Sequence, residues 1–273
     1  MLQPGQLLTA VRTDSPLVQS VTNSVVTNMT ANVLLALGAA PAMVDIVGEA
    51  GAFAAVADGV LINLGTPDPE HRKAMREAAR AAHAAGTPWV LDPVAIGALP
   101  VRTALAFELL DSHPTVIRGN ASEILALAGS GGGGRGVDSA DATDAAIPAA
   151  IELSRRTEAI VAVSGPQDFI TDGELATTVG NGHEFLTRVT GAGCALGAVI
   201  AAFIGARGGH SVRDAVSAAH VFYGVAAERA AATAAGPGTF LPLFLDELHN
   251  STGADVVAGA LLKSFSVRDP EEK

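Results

Sequence analysis

Along most of the chain, short runs of apolar residues alternate with longer Ala-rich stretches. The short runs predict strands over 17–21, 59–64, 88–91, 115–118 and 159–164. They are continuously apolar rather than alternating inward and outward, which is how strands buried on both faces read. The longer stretches predict helices over 24–37, 69–85, 103–111, 120–128, 142–156, 192–206, 212–235 and 239–250. Strands alternating with helices imply an α/β fold with a largely parallel sheet. Near 169–179 the pattern changes to two short strands around Asp172-Gly173, a hairpin signal. No linker or internal repeat divides the chain, so residues 1–273 are expected to form a single domain. The one low-complexity stretch, 129–136, reads as a glycine-rich surface loop: no strand runs into it and no Lys-bearing helix start follows.

Composition narrows the classes. Apolar residues make up 49% and charged residues 16%, so the chain has ample core and is not disordered. The formal charge of −11 argues against nucleic acid, which needs Lys and Arg to neutralise phosphates, and against anionic membranes. The single cysteine, Cys194, excludes an internal disulfide framework and fits a reducing compartment. There is no uninterrupted apolar run of about 18 residues. The start, Met-Leu-Gln-Pro-Gly, has no basic residue or apolar leader segment. A cytoplasmic protein is expected. Glycine is abundant, 30 of 273 residues, which implies close backbone approach at many places.

Ligands on an open parallel sheet sit beyond the carboxyl ends of the strands, so the segments after each strand are where chemistry is sought. Thr190-Gly191-Ala192-Gly193-Cys194 precedes a helix of small residues. Glycines at a strand-to-helix turn expose consecutive backbone N–H groups, and the helix dipole adds positive potential, which together make an anion hole. The same glycines could instead serve close helix–sheet packing. A dinucleotide fold does not follow, because no second strand comes after to carry the acidic residue it needs. Cys194, in the first helical turn, could be a small buried hydrophobe, or a base or nucleophile with its pKa lowered by the helix N-terminus.

Asp92-Pro93 ends an apolar strand, where the carboxylate could face a ligand or metal or simply shape a turn. In Arg118-Gly119-Asn120-Ala121-Ser122-Glu123, Asn120 and Glu123 have capping-box spacing. A bound polyphosphate would explain Arg118 at a strand end. Glu123 could also hold Mg²⁺ through water. Ser24, Asn28 and Asn32 recur at four-residue spacing as an uncharged stripe, which suggests a buried polar network or a neutral ligand. The seven histidines lack metal-ligand spacing.

Several segments, in this order, carry a resemblance over roughly residues 15–250. They are Val21-Thr22-Asn23, Thr30-Ala31-Asn32, Leu35-Ala36-Leu37-Gly38-Ala39, Asp92-Pro93-Val94-Ala95 and Ile117 through Glu123. They continue with Asp172-Gly173, Asn181-Gly182-His183, Thr190 through Cys194 and Gly236-Pro237-Gly238-Thr239-Phe240. Together they resemble the hydroxyethylthiazole kinases, thiamine-salvage enzymes of the ribokinase-like superfamily. The resemblance implies an α/β/α sandwich with a mostly parallel central sheet. It also implies Mg²⁺-assisted transfer of a phosphoryl group from ATP to the hydroxyl of a thiazole alcohol. A homotrimer with active sites at subunit interfaces is implied as well. Asn23, Met43 and Gly191 would contact the thiazole, Arg118 and Ser164 would contact ATP, and Asp92 with Glu123 would serve Mg²⁺ and the phosphates. Gly191, Ala192, Gly193 and Cys194 would form the catalytic turn. Ala192 stands where the family commonly has Thr, and Ser164 also replaces a Thr. A hydroxymethylpyrimidine or pyridoxal kinase is the alternative of the same fold, disfavoured by Cys194 and the Thr22-Asn23 segment. A catalytically silent nucleotide-binding protein is the alternative from another class.

Overall fold

A computed structural model describes residues 3–130 and 140–267. In chain order the elements are α1 (Pro4–Asp14), β1 (Leu17–Val21), α2 (Thr27–Leu37), β2 (Ala40–Ala42), α3 (Ala50–Ala54), β3 (Gly59–Asn63) and α4 (Pro69–Ala85). Then come β4 (Trp89–Asp92), α5 (Pro100–Leu110), β5 (Val116–Asn120), α6 (Ala121–Ala128), α7 (Ala140–Thr157) and β6 (Ile160–Ser164). The last are β7 (Asp168–Thr171), β8 (Leu175–Val179), α8 (Ala192–Gly205), α9 (Val212–Ala231), α10 (Pro237–Asn250), α11 (Gly253–Gly259) and β9 (Leu262–Ser266).

All the strands join one sheet, in the order β2-β1-β3-β4-β5-β6-β7-β8-β9. The pairs from β2 to β6 are parallel. The hairpin expected around Asp172-Gly173 is β7–β8, which with β9 continues the sheet antiparallel. Successive side chains of a strand point to opposite faces. Leu61 accordingly joins a core with α1, α2, α8, α9 and α10, while Val60 and Ile62 join a second core with α4, α5, α6 and α7. Both faces are covered, which makes the expected three-layer α/β/α arrangement and explains the continuously apolar strands.

Helix α8 runs across the sheet in unusually close contact. A Cβ on Gly59 would stand 2.4 Å from the Ala201 carbonyl oxygen, one on Gly197 2.8 Å from Leu61, and one on Gly205 2.7 Å from the Asp58 carbonyl oxygen. These positions account for part of the glycine surplus. The glycine run at 131–134 lies outside the described residues. Among the described residues no helix is long and apolar enough to cross a membrane.

Three local expectations are corrected. The helix expected from residue 24 begins at Thr27. Ser24 sits in the preceding turn, exposed, with its N–H on the Thr66 hydroxyl at 3.0 Å. The amide stripe is therefore no buried network: Asn28 is exposed, and Asn32 donates to its carbonyl groups one turn away. The turn before α8 follows a single 3-10 turn, Glu184–Thr187, rather than a strand.

Candidate active site

Five polar side chains form a row on the carboxyl side of the parallel strands: Asn23 lies just past β1, Asn63, Asp92 and Ser164 end β3, β4 and β6, and Arg118, expected at a strand end, sits instead two residues before the end of β5. Hydrogen bonds and one ion pair join them. Asn23 follows β1 and donates through Nδ2 to Asn63 Oδ1 at 2.9 Å. Asn63 ends β3 and donates to Asp92 Oδ2 at 2.7 Å. Asp92 ends β4, and its Oδ2 lies 3.7 Å from a terminal nitrogen of Arg118 on β5. Arg118 Nε donates to the Ser164 hydroxyl, at the end of β6, at 3.1 Å. The parallel register brings neighbours level: Asn63 pairs with Asp92 and Asn120 with Ser164.

The N-terminus of α8 faces this row. Gly191 occupies the left-handed region at φ +93°, and a Cβ there would meet Val26 Cγ1 at 2.7 Å, so both conformation and space require glycine. No side chain caps the helix, which leaves the first-turn N–H groups of Ala192, Gly193 and Cys194 as donors for an anion. Gly193 is exposed, and its Cα hydrogens face the Arg118 guanidinium: a Cβ would stand 3.6 Å from both terminal nitrogens. The buried Tyr223 hydroxyl, from α9, donates to the Ala192 carbonyl at 2.8 Å and holds the first turn in place. Cys194 Sγ receives Asn23 Nδ2 at 3.6 Å, tying the helix start to the β1 end of the row.

The electrostatics turn on burial. Asp92 is 1% exposed, and burial pushes its carboxyl up to about 7, against the pull of Arg118 and the Asn63 hydrogen bond. Burial opposes the Arg118 charge, but Asp92 and Glu123 outweigh it and the guanidinium pKa moves up. The lowered thiol pKa expected for Cys194 is corrected. Burial first, and the nearby Asp92 charge second, push it up despite Asn63, Arg118 and Asn23.

The two carboxylates expected to serve Mg²⁺ differ. Asp92 Oδ1 is buried without a hydrogen-bond partner, which suits a cation or one of its waters. Glu123 spends both oxygens on backbone N–H groups, Oε1 on Ala95 and Oε2 on Asn120, each at 2.8 Å. The capping box of α6 is complete, since Asn120 also accepts from the Glu123 N–H. Glu123 thus pins the loop after Asp92 to the start of α6, and any ion it serves is reached through remaining lone pairs.

Met43 stands apart from the row. It follows β2 at the sheet edge, where Ala42 pairs with Gln19, four residues before Asn23. The loop after it is held by Gln19, which donates to the Val44 carbonyl at 2.7 Å, and by Asp45 against His71 at 2.8 Å.

Asn63 and the pair Asp168–His220 were not singled out from the sequence. His220 Nδ1 on α9 lies 2.6 Å from Asp168 Oδ2, and Asp168 Oδ1 accepts the Gly165 N–H at 3.0 Å. Asp168 thereby closes the exposed turn that follows Ser164 and ties it to a fully buried histidine.

Residues 8–253 match the model of the hydroxyethylthiazole kinase family. A hydroxyethylthiazole kinase of Clavibacter sepedonicus is 58% identical over 91% of this chain and 90% of its own length. The one from Tolumonas auensis is 53% identical over 89% and 91%. The solved hydroxyethylthiazole kinase of Pyrococcus horikoshii OT3 superposes with a TM-score of 0.88 at 37% identity, covering 97% of this chain and all of that one. A pyridoxal kinase of Staphylococcus aureus shares the fold, at a TM-score of 0.62 and 16% identity over 92% of this chain and 99% of that one.

Proposed function

The chain belongs to the hydroxyethylthiazole kinase family, and we propose that it transfers the terminal phosphoryl group of ATP to the hydroxyl of a thiazole alcohol across the row Asn23–Asn63–Asp92–Arg118–Ser164. The observation that carries this reading is the meeting of the row with the uncapped start of α8. There the Arg118 guanidinium and the uncapped backbone N–H groups of the first helical turn lie close together.

Phosphoryl transfer is governed by positioning and charge stabilisation. In this reading Arg118, steadied by Ser164, binds the phosphates of ATP, and the N–H groups of Ala192, Gly193 and Cys194 receive the moving phosphoryl oxygens. Asn23 and Gly191 contact the acceptor, and Met43 closes its outer side. Asp92 through Oδ1 would hold Mg²⁺, with Glu123 behind it; the ion, when bound, neutralises phosphate charge. Cys194 stands beside the acceptor as a thiol, and its raised pKa leaves little thiolate at neutral pH to act as a base, so turnover is slow.

The same proposal includes a homotrimer with active sites between subunits. Its support is exposed apolar surface between β1 and α2 and on α2: Val25 is 64% exposed and Leu35 60%. Light scattering on the parent and on Leu35→Glu tests it, with a trimer that breaks to monomers expected. A cytoplasmic location is supported by the lone free thiol.

The direct experiment offers the purified protein Mg-ATP with the thiazole alcohol, hydroxymethylpyrimidine and pyridoxal in parallel. Phosphorylation of the thiazole alcohol is expected. Transfer only to the other two would overturn the reading.

A further inference from the structure

Asn63 is fully buried between Asn23 and Asp92 in the row, and the direction of its amide follows from its partners. The backbone N–H of Gly65 can only donate, and it lies 3.0 Å from Asn63 Oδ1, so that end is the oxygen. The nitrogen end therefore points at Asp92 Oδ2, 2.7 Å away, and donates to it. The same oxygen faces Asn23 at 2.9 Å, and two amide oxygens cannot face each other, so Asn23 turns its nitrogen inward. That nitrogen is also the group near Cys194 Sγ. The side-chain oxygen Oδ1 of Asn23 is left to accept a hydrogen bond from outside the row. A chain of donor–acceptor directions thus starts at the Gly65 backbone and ends at two functional groups.

We infer that Asn63 is a positioning residue that orients both halves of the site: Asn23, to accept from the acceptor hydroxyl, and Asp92, with Oδ1 toward the phosphates. This rests on the thiazole-kinase reading above, which places Asn23 on the acceptor side and Asp92 on the phosphate side. Gly65 belongs to the same device, because a Cβ there would strike Asn23 Nδ2 at 2.5 Å.

Two substitutions separate the two roles. Asn63→Asp keeps the volume and the oxygen toward Gly65 and Asn23, but sets an oxygen against Asp92. It is expected to lower kcat at least about tenfold with the acceptor KM within about twofold of the parent. Asn63→Ala releases Asn23 and is expected to raise the acceptor KM about tenfold or more; in an Asn23→Ala background the same change adds almost nothing to KM. Thermal melting of each variant registers folding, and the isosteric Asp variant remains readable if the Ala variant unfolds. Turnover of the thiazole alcohol by the unchanged enzyme is the control for the functional reading. With that turnover present, a parental kcat in Asn63→Asp, or full multiplication of the Asn23 and Asn63 effects on KM, overturns this inference alone.

Discussion

Asp92 and Arg118 lie 3.7 Å apart on adjacent strands, and neither uses the other fully. The closer bonds go elsewhere: Asn63 to Asp92 at 2.7 Å, and Arg118 to Ser164 at 3.1 Å. Asp92 Oδ1 has no partner at all. A pair built for stability would close on itself, because unmet hydrogen-bonding capacity in the interior works against folding. This one is held apart by its neighbours, with capacity left for a third party.

The raised carboxyl of Asp92 gives a pH signature. With its pKa at about 7, the carboxylate is half protonated at neutrality, and kcat/KM falls as pH drops below that point. Because folding raises this pKa, ionisation opposes folding. The group's contribution to stability is complete below pH about 4 and is lost as pH rises through 7. An Mg²⁺ ion and a proton compete for the same oxygens, so higher Mg²⁺ moves the acid limb to lower pH. Rate profiles at two Mg²⁺ concentrations check this; superimposable limbs contradict it.

Cys194 is the only cysteine, so alkylation reports on it alone. Burial and Asp92 hold the thiol above its ordinary range, and labelling by iodoacetamide is expected to be slow at neutral pH and to climb beyond pH about 9. Cys194→Ala lowers kcat by about 10²-fold or less, the scale of a weak general base. Rapid labelling at pH 7, or a parental kcat in the Ala variant, counts against the assignment.

The two glycines of the catalytic turn separate stability from chemistry. Gly191→Ala meets both a left-handed backbone and the Val26 side chain, and is expected to cost about 2 kcal/mol or more in urea unfolding. At Gly193 a methyl makes only ordinary contact with Arg118, so stability stays within about 0.5 kcal/mol. In the proposed reaction that methyl stands where the phosphoryl group approaches the guanidinium, so kcat is expected to fall. Equal melting points for the two variants would contradict the contrast.

The Asp168–His220 contact steadies the turn after Ser164, on the proposed nucleotide side. His220→Ala removes a buried hydrogen bond and leaves a void, costing about 2–4 kcal/mol. It also frees the turn after Ser164, so the KM for ATP rises while the acceptor KM does not. His220→Asn, which keeps a donor near the position of Nδ1, restores most of the ATP affinity. A uniform loss of both affinities, unrelieved by Asn, would reduce the contact to packing.

The strands were legible because burial on both faces leaves apolar runs, and Asp92 and Arg118 stood out as charges ending such runs. Asn63 ends one in the same way, but an uncharged amide breaks the pattern less visibly. The edge strands were not legible: β2 is Ala-Pro-Ala, and β9 is largely solvent-exposed, so neither carries the apolar pattern. The short helices α3 and α11 are too brief for periodicity to show. Asp168 and His220 meet across 52 residues with no local signal. The direction of the thiol shift is hidden for a related reason. The helix end is visible in sequence, but the burial and the Asp92 charge that oppose it come from other strands.

Glycines 59, 197 and 205 act as a gauge that sets how high α8 rides above the sheet. The start of α8 carries the uncapped N–H groups, and the central strand β5 carries Arg118, so the clearance between them is set by hydrogen atoms where methyl groups would otherwise be. Ala201 lies roughly 10 Å along the helix from Cys194, at about 1.5 Å per residue. A single methyl at Gly59 would act there as a shim, tilting the rigid helix and shifting its start against Arg118 without touching either.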